Sequence, residues 1–179
     1  MKDRRGFTLI EILIVMAIVG IVATIATTNF LLWLNHSSVI GFQREFLSKF
    51  NEARTRSMAS SLQHRLLIDM NAETVTLQRG TLGTGTPPAG WTNVGQPVVG
   101  SRGAGIDNVI CTPTVPVPTI FALVLNPDGQ TLIQDNTAGS ASSPLTQADI
   151  HISATSAVDQ ATIRVFGWTS KARLANGWL

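Results

Sequence analysis

A few sets of residues in this chain have types and spacings that could do chemistry. Glu11 follows "RRGFTLI" and opens the run "ILIVMAIVGIVATIATTNFLLWL", after which no Asp, Glu, Lys or Arg occurs until Arg44. A carboxylate at the edge of a stretch long enough to cross a bilayer is costly, and so is a functional candidate by default. The competing reading is an interfacial glutamate near the headgroups, and position alone leaves both open. Arg164, Lys171 and Arg173 lie near the C-terminus with Trp168 and Trp178 among them and no acidic residue after Asp159. That pattern suits phosphate contacts and base stacking on a nucleic-acid strand. It also suits a solvated last hairpin whose tryptophans pack inward. Asp128 and Asp135 could be paired carboxylates, but "NPDG" is first a turn. Ser140, Ser142 and Ser143 sit in a low-complexity loop without a nucleophile elbow or an identifiable base.

Other patterns exclude more than they offer. The glycine-rich segment 80–105 lacks the lysine of a phosphate-binding loop, and "NPDGQTLIQD" lacks the ligand density and terminal Glu of a calcium loop. His36, His64 and His151 are single and far apart, and the one cysteine, Cys111, allows neither zinc spacing nor an intrachain disulfide. Cys111 reads as a small buried hydrophobe. No catalytic residue, cofactor or metal is expected, and the chain does not read as an enzyme.

The elements that must position Glu11 and the basic C-terminus follow from periodicity. No proline interrupts residues 7–62, and one helix over that span would be about 84 Å long at 1.5 Å per residue. Its first half is apolar nearly all round. In its second half Val39, Phe42, Phe46, Phe50 and Ala53 recur at steps of three or four and form one stripe. Gln43, Arg44, Glu45, Lys49 and Glu52 fill the other face, with Glu45–Lys49 and Glu52–Arg56 as i,i+4 pairs. Such a helix needs lipid or other helices around its first half and a globular domain against its second.

Beyond Leu62 the pattern alternates. Residues 64–70, 74–78, 119–125, 149–154 and 161–166 read as strands, with turns at "MNAE" and "NPDG". Residues 80–105 read as a loop with a short strand at 97–99, 112–118 as a proline-rich connector that cannot be a central strand, and 136–144 as a further loop. The phenylalanine stripe should pack on one face of an antiparallel sheet or β-sandwich, giving an α+β domain.

The sequence pI is about 9.2, but most of the basicity sits in the first six residues. Without them Lys+Arg falls from 13 to 10 and Asp+Glu from 11 to 10, a net charge of zero. Lys2, Arg4 and Arg5 before an apolar span set orientation, since such flanks stay cytoplasmic. An ordinary secretory signal has an apolar core of about 7–15 residues and a small-residue cleavage site. Here the apolar stretch is too long, and "ATIATT" is a poor cleavage match.

The segment "RRGFTLIEILIVMAIVGIVATIA" resembles the N-terminus of type IV pilins and type II secretion pseudopilins, over roughly the first third of the chain. The resemblance implies a leader ending at Gly6 and cut by a prepilin peptidase. It also implies an N-methylated Phe7 and a filament role for Glu11, which would meet the positive N-terminus of a neighbouring subunit. "NEARTRSMASS", "FALVLNPDGQ" and "TIRVFGWTSKARL" resemble looser landmarks of the FimT/GspH-like minor pilins and pseudopilins. Thr28 stands where many major pilins have proline, and the paired C-terminal cysteines are absent; both favour a minor subunit. Gly167 is followed by Trp168 where that group often has arginine.

The expected layout is a leader at 1–6, a transmembrane and filament-core half-helix at 7–34, an amphipathic half at 35–62 and a periplasmic β-rich domain at 63–179. The chain would be a single-pass inner-membrane protein with a cytoplasmic N-terminus. Expected partners are the prepilin peptidase, other pilins or pseudopilins and the membrane, in a type IV pilus or type II secretion pseudopilus that it helps initiate or cap. The alternative is a pilus-associated DNA receptor using Arg164, Lys171, Arg173 and Trp168.

Overall fold

The computed structural model describes residues 9–85, 90–101, 103–136, 140–154 and 160–176. Among the described residues, helix α1 (Leu9–Ser60) is followed by strands alone. It ends where Ser61 takes a left-handed backbone (φ 55°), the conformation that closes many helices and is usually given to glycine. The chain divides into two compact units, Met1–Leu34 and Asn35–Leu179.

In the first unit the helical residues Leu9–Thr27 have a mean hydropathy of 2.8 and none is buried. Leucine, isoleucine and alanine are good or tolerable helix formers, and an all-round apolar surface leaves the helix with no face directed to water.

In the second unit the helical stripe is the centre of the core. Phe46, Phe50 and Ala53 are fully buried, with Val39 and Phe42 nearly so, and they cluster with side chains of two antiparallel sheets. The buried face is broader than the stripe. Gln43, expected on the polar side, is only 4% exposed, and Ser57 is buried and donates to the Leu125 carbonyl at 2.8 Å. With sheets around it the helix buries flanking positions that a single sheet face would leave wet. The expected Glu52–Arg56 pair is present at 2.9 Å, but Lys49 turns to Glu52 at 3.1 Å rather than to Glu45. Glu52 thus holds two cations.

The strands are β1 (His64–Asp69), β2 (Thr74–Arg79), β3 (Thr92–Asn93), β4 (Val98–Val99), β5 (Gly105–Thr112), β6 (Ile120–Leu125), β7 (Thr131–Asp135), β8 (Ser142–Pro144), β9 (Gln147–Ser153), β10 (Gln160–Phe166) and β11 (Lys171–Asn176). The first sheet runs β3-β2-β1-β6-β7-β8, with β4 also paired to β2; the second runs β11-β10-β9-β5. Short β3 and β4 share one edge of β2, which blunts that edge against pairing with other chains.

The five expected strands are observed within a residue or two at each end. Strand β5 is not among the expected strands, since residues 106–111 carry no assignment from the sequence, and a bulge explains why. The register shifts between Ile106 and Asn108, so the buried residues Ile106, Val109 and Cys111 lose their even spacing. Residues 136–144 were expected to be loop, yet Ser142–Pro144 pair with β7 as an edge strand, the one sheet position that readily accepts proline.

Candidate functional site

The apolar helix is the first candidate. Its isoleucines, valines and leucines from Leu9 to Leu31 are each more than half exposed. Two of its hydroxyls are bonded to its own backbone: Thr24 Oγ1 donates to the Gly20 carbonyl at 2.9 Å and Thr27 Oγ1 to the Ala23 carbonyl at 2.8 Å. A hydroxyl satisfied on its own backbone can sit in hydrocarbon without an unpaired donor. Phe30 and Trp33 stack with ring centroids 5.9 Å apart near the end of the apolar stretch. Glu11 lies in the first turn of α1, exposed. There the helix dipole favours a carboxylate. Gly6 and Phe7 lie outside the described residues.

The second candidate is the last hairpin. By register, Asp149 of β9, Arg164 of β10 and Arg173 of β11 are neighbours in one row across the sheet. Arg164 Nε donates to Asp149 Oδ1 at 2.7 Å and Nη2 to Oδ2 at 2.9 Å. The hydrogen bonds to Asp149 raise the guanidinium's pKa above its ordinary value. Three of the basic and aromatic candidates therefore reach solvent: Lys171, Arg173 and Trp168, the last 65% exposed on the turn between β10 and β11. Arg164 shares their sheet face but is held by Asp149. Trp178 lies outside the described residues.

That turn is firmly held. Thr131 N donates to the Gly167 carbonyl at 2.6 Å, Gly167 N to the Thr146 carbonyl at 2.9 Å, and the buried Ser170 Oγ to the Gly129 carbonyl at 2.8 Å. A Cβ at Gly167 would fall 1.6 Å from the Leu145 carbonyl oxygen, so only glycine fits.

The catalytic alternatives do not assemble. Asp128 takes part in the "NPDG" turn, where its Oδ1 accepts from Gln130 N at 2.9 Å and Gly129 has φ 88°. Asp135 ends β7, at the opposite end of that strand. Cys111 is buried, and burial, with Asp149 contributing, pushes its thiol up to about 11; it is not a nucleophile at neutral pH. A cleft of about 490 Å³ has Glu73, Asp107, Thr119 and Ser153 in its lining, but no histidine, cysteine or lysine among the described residues there. Among the described residues no group of three or more His, Cys, Asp or Glu could hold a metal.

Sequence reasoning missed a polar cluster on the outer face of the first sheet. One register row there runs Asn93, Gln78, Arg65, Val124, Leu132 and Pro144 across β3, β2, β1, β6, β7 and β8. Arg65 is only 8% exposed and lies 4.4 Å from the Trp91 ring centroid. Trp91 is 26 residues away along the chain, so no local signal could have joined them.

Comparison with known proteins bears on the N-terminus. Residues 1–27 match the prokaryotic N-terminal methylation motif. The leader is of prepilin type. None of the curated proteins matches the chain. Among solved structures the chain is similar to the minor pseudopilin EpsH from the Type 2 Secretion System of Vibrio cholerae. That match has a TM-score of 0.49 and 14% identity, and it covers 76% of this chain and 94% of that one.

Proposed function

We propose that this chain is a minor pilin or pseudopilin that helps initiate or cap a type IV pilus or a type II secretion pseudopilus. The observation that carries the reading is the junction at the N-terminus. A methylation motif over residues 1–27 overlaps an apolar helical span, Leu9–Thr27, of which no residue is buried, with Glu11 near its start. The span is long enough to cross a bilayer and equally able to pack among like helices.

In this reading the prepilin peptidase cuts after Gly6 and Phe7 becomes an N-methylated terminus. The basic leader keeps that end cytoplasmic while the β-rich domain stands in the periplasm. On assembly Glu11 leaves the headgroup region for a packed bundle of helices. A carboxylate is tolerable there only when paired, and a neighbour's positive N-terminus supplies the partner. Since only one stagger of adjacent helices brings the two charges together, the pair also fixes axial register.

The DNA-receptor alternative gains nothing from the hairpin, because Arg164 is already neutralised by Asp149 and leaves Lys171 and Arg173 as its cations. Intact-mass analysis of protein extracted from membranes tests the leading reading. The expected species starts at Phe7 and carries one added methyl group. A terminus near Thr27, as after ordinary signal cleavage, would overturn it.

A further inference from the structure

The charge of Arg65 has no counterion within the described chain. Nε donates to Gln78 Oε1 at 2.7 Å and Nη1 to Gln134 Oε1 at 3.0 Å, while Nη2 reaches Asn136 Oδ1 only at 3.5 Å. All three acceptors are neutral amides. Asp69, on the same face of β1, is occupied in its own turn, accepting from Asn71 N and Ala72 N at 2.9 Å. Burial of the guanidinium lowers its pKa to about 10. A buried cation normally has a paired anion, because hydrogen bonds to neutral groups satisfy the donors but not the charge.

The imbalance has a direction. The two short contacts come from buried glutamines, and Gln78 is itself fixed by donating to Asn93 Oδ1 at 2.7 Å. Gln134 is fixed likewise, donating to the Ser140 carbonyl at 2.9 Å. The loose contact is to Asn136, which is exposed, and Trp91 stacks on the guanidinium. The Nη2 edge is therefore the least firmly held of the three, and the one beside an exposed residue.

We infer that Arg65, walled by Trp91 and held by Gln78 and Gln134, is a binding site for a single carboxylate, which takes the place of the Asn136 amide at Nη2. One negative charge balances the one buried positive charge, and a charge-assisted hydrogen bond is shorter and stronger than the amide contact it replaces. The carboxylate can be carried by a small acid or by an aspartate or glutamate of another protein.

The test uses the full chain in detergent micelles, its four tryptophans labelled with fluorotryptophan and the Trp91 fluorine resonance assigned with Trp91→Phe. At constant ionic strength, sodium acetate should shift that resonance saturably, whereas sodium chloride should not. A blocked tripeptide with one central aspartate, compared with its asparagine counterpart, separates the sources. Saturation below the acetate range points to a protein side chain; saturation by acetate alone points to a small acid. No saturable shift, the same shift with chloride, or saturation by inorganic phosphate but not by acetate or the aspartate peptide would overturn the assignment. Asn136→Asp supplies the carboxylate from within the chain at an exposed position. It should raise Tm and weaken the acetate response at least tenfold. An Asn136→Asp protein with unchanged Tm and unchanged response would also overturn it.

Discussion

Arg164 and Asp149 face each other across adjacent strands and are joined by two hydrogen bonds of 2.7 and 2.9 Å. Arg173 stands directly beyond Arg164 on the next strand. Two arginines opposite one another repel, and Asp149 is what makes the pair tolerable. Asp149→Asn or Arg164→Gln should therefore lower the Tm of the full chain in detergent, while Lys171→Gln with Arg173→Gln, both exposed, should leave it unchanged. Equal behaviour of the two sets would mean that the ion pair contributes nothing.

Glu11→Ala should leave membrane insertion intact, since the span loses only a charge, yet abolish incorporation into filaments. Cell fractionation reads the first outcome, and immunolabelling of sheared filaments reads the second. Normal incorporation would remove Glu11 from any role in register.

Phe46 is fully buried, so Phe46→Ala should destabilise the folded domain by about 3–5 kcal/mol, measured by denaturant titration of near-UV circular dichroism. Ile14→Ala should cost the domain nothing, because Ile14 is 55% exposed in a separate compact unit.

Gly167→Ala forces a Cβ onto the Leu145 backbone carbonyl, with no flexible side-chain end to yield. The cost should reach about 3 kcal/mol or more, the upper end of overpacking. Reduced yield of folded protein and a lower denaturation midpoint are the readouts.

Acid should destabilise the domain in two steps. His64 is buried, and that burial, with Arg56 and Arg79 assisting, lowers its pKa below the ordinary 6.5 despite its contact with the Leu62 carbonyl. A histidine whose folded pKa is depressed is protonated more readily in the unfolded chain. Its contribution is whole above 6.5 and is lost as pH falls toward the folded value. For Glu52, burial pushes its pKa up, but Lys49 and Arg56 outweigh it and leave the carboxyl below its ordinary 4.5. Its contribution is lost at lower pH still. Thermal melts should show a first decline below neutrality that His64→Gln removes, and a second below the ordinary carboxylate range that it does not.

The sequence by itself determined what depends on neighbours along the chain. The apolar span around Glu11 and the Val39–Ala53 stripe are periodic patterns, readable because helix geometry maps spacing onto faces. Strands such as β2 and β10 keep period-two alternation in sequence, and their ends were legible within a residue or two. The turn at Asp128 was legible for the same reason, since its residue types favour one local conformation.

Tertiary structure alone decided the pairings between distant strands. A bulge at Ile106–Asn108 breaks the alternation by which β5 could have been read. Gln43 looks like a surface residue until sheets close around its helix. Arg164, Lys171 and Arg173 look alike along the chain, but strand register places Asp149 beside Arg164 and leaves the other two in solvent. Register likewise puts Gln78 beside Arg65, and chain folding lays Trp91 on the same guanidinium. Hydrogen bonds and electrostatic pairing act over a few ångströms in space, and only the folded chain brings residues far apart in sequence within that reach.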